Sequence, residues 1–208
     1  MGTSERTDEE LMIAFRGGDP RAFEVLVLRH RVPVYNFILR LAGSPARAED
    51  LLQETWLKVV RGAGDWQPKA RFTTWVYTIA RNLCVDSARK ESYRKADSLD
   101  APQGADGEGR TLGEALADEG GQSPDRNAHN HRVRPLIERA LQSLPAEQRE
   151  VFLLREYSGI PFKEIAEVTG VPEPTVKSRM RYALEGLRRK LQELGVDGDM
   201  AEGRTAVG

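Results

Sequence analysis

Thr175-Val-Lys-Ser-Arg-Met-Arg-Tyr-Ala-Leu-Glu-Gly-Leu-Arg-Arg-Lys190 is the stretch whose reading decides the fold. On a helix at ~100° per residue, Val176, Met180, Ala183, Leu184, Leu187 and Leu191 share one stripe. Ser178, Arg181, Tyr182 and Glu185 share the opposite one, flanked by Lys177 and Arg179. The bases Lys177, Arg179, Arg181, Arg188, Arg189 and Lys190 outnumber the one acid, Glu185. Taken alone, such a charge run is the solvated face of an ordinary amphipathic helix. The residues before it argue for more. Lys163-Glu-Ile-Ala-Glu-Val-Thr-Gly170 makes a two-turn helix, with Ile165, Ala166 and Val168 apolar and Gly170 suited to a C-cap. Val171-Pro172 then turns the chain. A short helix, a glycine-containing turn and a basic second helix are the parts of a helix-turn-helix. Outward residues near the N-terminus of its second helix face base edges, where Arg and Lys contact guanine or phosphate. The pattern predicts duplex DNA binding, with a plain helical hairpin as the alternative.

The rest of the chain sets bounds on this reading. Its 208 residues suit one or two small domains, and 39% hydrophobic with 30% charged residues suits a helix-rich, soluble protein. Net charge is only −1, so a nucleic-acid partner has to be argued from local charge. Cys84, the single cysteine, excludes an intramolecular disulfide and reads as a small core residue. Val25-Leu-Val-Leu28 is soon followed by Arg29, His30 and Arg31, too short for a membrane span. Glu5, Asp8, Glu9 and Glu10 make the N-terminus unlike a signal peptide, and a cytoplasmic location without direct membrane insertion is expected.

An all-α fold is predicted, as two helical domains joined by a flexible linker. Residues 8–93 form the first. A short helix ends at Gly17-Gly18, and Asp19-Pro20 opens a long one through Val34 and Leu41, which Pro33 kinks or splits. Ser44-Pro45 begins the next, ending near Arg61, and a further helix runs from about Phe72 to Tyr93. Residues 94–132 hold six glycines, few apolar residues and more acids than bases. They read as a flexible linker with at most a helical turn at Leu112–Leu116. Residues 133–194 are helical again, in segments near 133–143, 146–157, 161–169 and 173–194, and 195–208 reads as a disordered tail.

Two further constellations stand out. On the helix 72–93, Phe72, Val76, Ile79, Ala80 and Leu83 form a core face. Roughly opposite lie Trp75, Thr78, Asn82, Val85, Asp86 and Arg89. Trp66, Lys69 and Arg71 sit in or beside the preceding loop. Aromatic rings among bases suit single-stranded nucleic acid, by stacking at ~1–3 kcal/mol per base plus phosphate neutralisation. Rings packed within the domain and charges left to solvent explain the same spacing equally well. On the helix 46–61, Ala48, Leu51, Leu52, Thr55 and Val59 are the buried stripe, and Asp50, Gln53, Glu54 and Arg61 the exposed one, with Leu57 among them. A leucine ringed by polar groups is commonly just exposed, and it is also the form of a docking patch with a polar rim.

At these residues the chain resembles the extracytoplasmic-function group of sigma-70 family sigma factors of bacterial RNA polymerase. The resemblance rests on Asp50-Leu-Leu-Gln-Glu-Thr-Trp-Leu57, Phe72-Thr-Thr-Trp-Val-Tyr-Thr-Ile-Ala-Arg-Asn-Leu-Cys-Val-Asp86 and Leu144-Pro-Ala-Glu-Gln-Arg-Glu-Val-Phe152. Phe162-Lys-Glu-Ile-Ala-Glu167 and Thr175-Val-Lys-Ser-Arg179 complete it, in the family's order. It implies a sigma-2-like domain over 8–93 and a sigma-4-like helix-turn-helix domain over 133–194. By resemblance, Asp50, Gln53, Glu54 and Leu57 contact the clamp of the largest polymerase subunit, and the flap of the second-largest subunit is a further partner. Asn82 and Trp66 help hold an extruded base of the −10 non-template strand, with Lys69, Arg71, Trp75, Asp86 and Arg89 on the same DNA-facing surface. Lys177, Ser178, Arg179, Arg181 and Tyr182 line the −35 major groove, with Thr175 near the backbone. An anti-sigma factor is a further implied partner. Pro174 stands where glycine is common and is acceptable early in a helix. Tyr182 stands where arginine is frequent, which leaves the −35 base preference open.

No catalytic residue, cofactor or metal is expected. His30, His129 and His131 form no ligand set with Cys84, and His129-Asn-His131 reads as solvated linker. A stand-alone helix-turn-helix regulator would leave the Asp50–Leu57 patch and the Trp66–Trp75 surface without a purpose. A nucleic-acid enzyme would need a catalytic constellation that this sequence does not offer.

Overall fold

The computed structural model describes residues 6–69, 71–97 and 124–196, with backbone alone at 95–97 and 124–132. Within them every regular element is helical: α1 (Asp8–Arg16), α2 (Pro20–Ala42), α3 (Pro45–Gly62), α4 (Phe72–Asp97), α5 (Pro124–Gln142), α6 (Ala146–Phe152), α7 (Phe162–Thr169) and α8 (Glu173–Glu193). A π turn, Leu153–Tyr157, extends α6.

Local chemistry sets the ends. Thr7 and Glu10 form a reciprocal capping box at the start of α1. Asp19 caps α2 by accepting from the Arg21 amide, and Pro20 occupies its first turn. Gly43 and Gly170 take left-handed φ values of 71° and 70° to close α2 and α7, which a side chain would resist. Pro33 lies inside α2 without ending it. Buried Val34, Tyr35, Phe37 and Ile38 just beyond it hold the helix together by packing that outweighs the lost backbone bond.

The helices α1–α4 enclose one core, through Leu11, Met12, Leu26, Phe37, Ile38, Val59, Phe72 and Val76. Helices α5–α8 pack around Leu141, Leu153, Leu154, Ile165, Val176 and Ala183, and the buried residues of the two blocks run together in one cluster. In this second block α8 lies close enough to the α5–α6 turn that a Cβ on Gly186 would stand 2.7 Å from Leu144 Cδ2.

The blocks also touch each other. Helix α4 packs on α7, and α2 on the π turn. The π geometry runs from the Leu153 carbonyl to the Ser158 amide, at 3.2 Å. It places the Tyr157 ring 4.2 Å from the Arg40 guanidinium. Arg40 is almost fully buried and pairs with Glu138 at 2.8 Å, while Gln142 Nε2 donates to the Arg40 carbonyl.

Helical structure overruns the expected linker at both ends. Helix α4 continues to Asp97 and α5 begins at Pro124, so both ends of the expected linker are helical, His129 and His131 included. No glycine interrupts residues 124–142, and sparse apolar side chains argue against a core rather than against a helix. Residues 98–123, including Leu112–Leu116, and the tail from 197 lie outside the described residues.

Candidate nucleic-acid interface

Helix α3 buries Ala48, Leu51, Leu52, Thr55 and Val59, the stripe its periodicity predicts. The Thr55 hydroxyl is satisfied within the helix, donating to the Leu51 carbonyl at 2.7 Å. Asp50, Gln53 and Glu54 stand exposed on the other side. Leu57 is 53% exposed, and Val60, one turn on, is 43% exposed. Sequence reasoning missed Val60. Its position at i+3 from Leu57 was the signal, since residues so spaced are neighbours on a helix surface.

The loop into α4 is held from α1. Arg16 Nη1 donates to the Trp66 carbonyl at 2.9 Å, and Glu9 accepts from the Phe72 amide, capping α4. The Trp66 ring is buried, against the expectation of a ring offered to DNA. It lies 6.4 Å from the Trp75 ring, which packs on Phe72 and would stand 3.1 Å from a Cβ on Gly62. Trp66 is therefore core, and Trp75 is half-buried on top of it. An aromatic ring in a polar loop buries whenever the flanking helices offer a hydrophobic wall.

Lys69 and Arg71 remain exposed. Together with Arg29, Asp8, Glu9, Thr7, Pro68 and Thr73 they line an open cleft where the loop meets α1 and α2. Arg29 and the α1 carboxylates were not legible as its walls, because they come from far upstream in the chain. Asn82, Asp86 and Arg89 follow along the exposed stripe of α4.

Helix α4 carries a third face that its periodicity did not announce. Thr74, Tyr77 and Cys84 are buried there, beside Arg81. The Thr74 hydroxyl donates to Glu164 at 2.5 Å, and Arg81 Nε donates to Glu150 at 2.6 Å. Burial pushes the Tyr77 hydroxyl up to about 12. Burial, with the charge of Glu150 adding to it, pushes the Cys84 thiol up to about 12. The expectation of a core cysteine is met, and its thiol is unreactive there.

Helix α8 presents the expected front. Val176, Met180, Ala183 and Leu187 are buried, while Lys177, Arg181 and Tyr182 are exposed. Leu184 departs from its expected place in the apolar stripe and is 48% exposed. It lies at the edge of that stripe, beyond the helices packed on Ala183 and Leu187. Thr175, Ser178 and Arg179 are half-buried. Ser178 Oγ donates to the Thr175 carbonyl, and Arg179 lies 3.6 Å from Glu147. Lys177 pairs with Glu173 at 2.7 Å, and the Arg181 guanidinium sits 4.9 Å from the Tyr182 ring centre. Exposed ion pairs of this kind are weak and leave both cations available to phosphate or base edges.

Among the described residues no group of three or more His, Cys, Asp or Glu is placed to hold a metal ion. None of their helices is long and apolar enough to cross a membrane.

Described residues that are helical throughout their regular elements, with a basic, exposed helix on a helix-turn-helix frame, have the form of a DNA-binding transcription protein. Residues 26–94 match the model for Sigma-70 region 2 and residues 134–187 that for Sigma-70, region 4. The RNA polymerase sigma-H factor of Pseudomonas aeruginosa is 31% identical, over 92% of this chain and 97% of that protein. The RNA polymerase sigma factor CarQ of Myxococcus xanthus is 34% identical, over 89% of this chain and 98% of its own. CnrH, solved in complex with the cytosolic domain of CnrY, shares the fold at a TM-score of 0.62 and 22% identity, covering 90% of this chain and 99% of that one. The sigma factor RpoE of Bartonella quintana, solved with the anti-sigma factor NepR, does so at 0.62 and 23%, over 82% and 96%. The chain belongs to the extracytoplasmic-function group of the sigma-70 family. Its function is promoter-specific transcription initiation, as a specificity subunit rather than a catalyst.

Proposed function

We propose that the chain grips core RNA polymerase and the promoter through three separate surfaces. The α3 patch of Asp50, Gln53, Glu54 and Leu57, widened by Val60, docks on the clamp of the largest subunit, and the flap of the second-largest subunit receives the C-terminal block. The α8 front of Lys177, Ser178, Arg179, Arg181 and Tyr182 reads −35 duplex, with Thr175 at its edge. Lys69, Arg71, Asn82, Asp86 and Arg89 line the path of the melted −10 non-template strand, and the cleft beside Lys69 receives an extruded base. Extrusion costs a few kcal/mol, offset by contacts in the pocket. Trp66 supports that surface from behind and Trp75 forms its floor.

The observation that carries this reading is the exposed Leu57–Val60 pair with its rim of Asp50, Gln53 and Glu54. A stand-alone DNA-binding regulator has no use for it. Because CnrH and RpoE were solved with CnrY and NepR, an anti-sigma factor is proposed as a partner here too. A cytoplasmic location goes with these partners.

Run-off transcription with purified core polymerase tests the proposal. The wild-type chain should direct a promoter-dependent transcript. Leu57→Asp should lose core binding in a pull-down while keeping its −35 footprint. Retained core affinity in that variant would remove α3 as the docking surface.

A further inference from the structure

We propose that α1 is a brace for the loop into α4, with Arg16 and Glu9 as positioning residues that set how the cleft beside Lys69 meets a base. This rests on the −10 role proposed above for that cleft.

Helix α1 lies ahead of residues 26–94, the stretch that matches Sigma-70 region 2, so its contacts are additional to that match. It holds the loop between α3 and α4 at both ends. Arg16 Nη1 donates to the Trp66 carbonyl at 2.9 Å, and Glu9 Oε1 accepts from the Phe72 amide at 3.1 Å. Glu9 and Arg16 stand at i and i+7, about two turns apart and on one face of α1. That sets the two anchors roughly 10 Å apart along the helix, whereas the chain from Trp66 to Phe72 can reach roughly 20 Å. The slack has to bow away from α1. Pro68, Lys69 and Arg71 are the residues it carries outward, and they are exposed at the cleft.

The brace is itself fixed. Asp8 binds Arg29 at 2.9 Å and His30 at 2.6 Å, and Arg29 also donates to the Arg6 carbonyl, so the start of α1 is tied to α2. The residues at the two anchors are held by packing as well. Trp66 is buried beside Trp75, and the Phe72 ring lies 5.3 Å from the His30 ring. Glu9 lines the cleft, whereas Arg16 is outside its lining and acts through the Trp66 carbonyl. A loop pinned at both ends loses less conformational freedom when a base enters. It also keeps Lys69 and Arg71 at one distance from the α1 wall, and a fixed distance is what lets a pocket favour one base over another.

Amide exchange and oligonucleotide binding test the brace. The Trp66 amide donates to the Gly62 carbonyl at 3.2 Å and reports on the Arg16 end, while the Phe72 amide reports on the Glu9 end. In the full chain, Arg16→Met keeps the long stem and removes the donors. It should speed exchange of the Trp66 amide by about tenfold, with the amides of α8 and the urea midpoint unchanged. Glu9→Ala should do the same to the Phe72 amide, and Arg16→Lys, which keeps a donor, should return Trp66 exchange toward the wild-type rate. In holoenzyme assembled with core polymerase, Arg16→Met should narrow several-fold the Kd ratio between a −10 non-template oligonucleotide and one substituted at the extruded base, with binding of −35 duplex unchanged. Wild-type exchange at Trp66 in Arg16→Met overturns the brace. Faster exchange with an undiminished Kd ratio overturns the positioning role. Faster exchange throughout α8 together with a lowered urea midpoint overturns it too, making Arg16 a residue of general stability. Lys69→Ala that binds the −10 oligonucleotide as wild type does would strike the −10 reading instead, and the exchange rates, which need neither DNA nor polymerase, would still decide the brace.

Discussion

Helices α4 and α8 both carry bases on an outer stripe, yet they are built differently. Helix α8 has two sides: a buried back of Val176, Met180, Ala183 and Leu187 and an open front of Lys177, Arg181 and Tyr182. Helix α4 has three: a core face of Phe72, Val76 and Ala80, a flank of Thr74, Tyr77, Arg81 and Cys84 covered by the second block, and an outer stripe of Asn82, Asp86 and Arg89. The two-sided helix is suited to duplex readout, where rigid side chains enter a groove. A three-sided helix ties its outer stripe to whatever covers its flank, so contact between the blocks bears on the −10 role proposed for that stripe.

The comparison breaks hardest at Trp66. If its ring is core, Trp66→Ala should cost about 3–5 kcal/mol in urea unfolding of the full chain, since a buried tryptophan leaves a large cavity. Trp66→Phe should retain most of that stability, because its indole N–H finds no hydrogen-bond partner among the described residues and removing it strands none of them. An alanine variant of unchanged stability that fails only in promoter opening would return Trp66 to the DNA surface and make α4 as open as α8.

At α8 the expectation is the reverse. Arg181→Ala should weaken −35 binding by about 1–3 kcal/mol, read as a Kd ratio on cognate and scrambled duplex. Its effect on unfolding should stay within about 0.5 kcal/mol, because Arg181 is exposed and its nearest acid is Glu185 at 3.8 Å. An equal loss on both duplexes would make Arg181 a phosphate contact rather than a base reader.

These two residues also mark where a sequence is legible. The stripes of α3 and α8 could be read because their burial partners lie close in the chain and impose a 3.6-residue period. Asn82, Asp86 and Arg89 could be read because their spacing sets them away from Phe72, Val76 and Ala80. Trp66 could not. Its burial depends on Trp75 and on Arg16, which lies far upstream. The flank of α4 could not either, since its cover comes from Glu150 and Glu164, and a helix buried from two directions blurs its own period. The start of α5 at Pro124 escaped for the opposite reason, being a helical stretch without an apolar stripe to announce it.

The smallest expected effect concerns how the N-terminal block secures α4. Asp8 lies 2.9 Å from Arg29 and 2.6 Å from His30, tying α1 to α2, while its neighbour Glu9 caps α4. Burial alone would raise the Asp8 carboxyl, but His30 and then Arg29 outweigh it and hold it below its ordinary value of 3.8. A carboxylate lowered on folding adds stability above its unfolded value, and that stability disappears as pH falls through the folded one. Asp8→Asn should therefore cost about 1 kcal/mol near neutrality, and the gap to wild type should close in strong acid, as urea midpoints across the pH range would record. A gap that persisted below that range would mean Asp8 acts through shape alone.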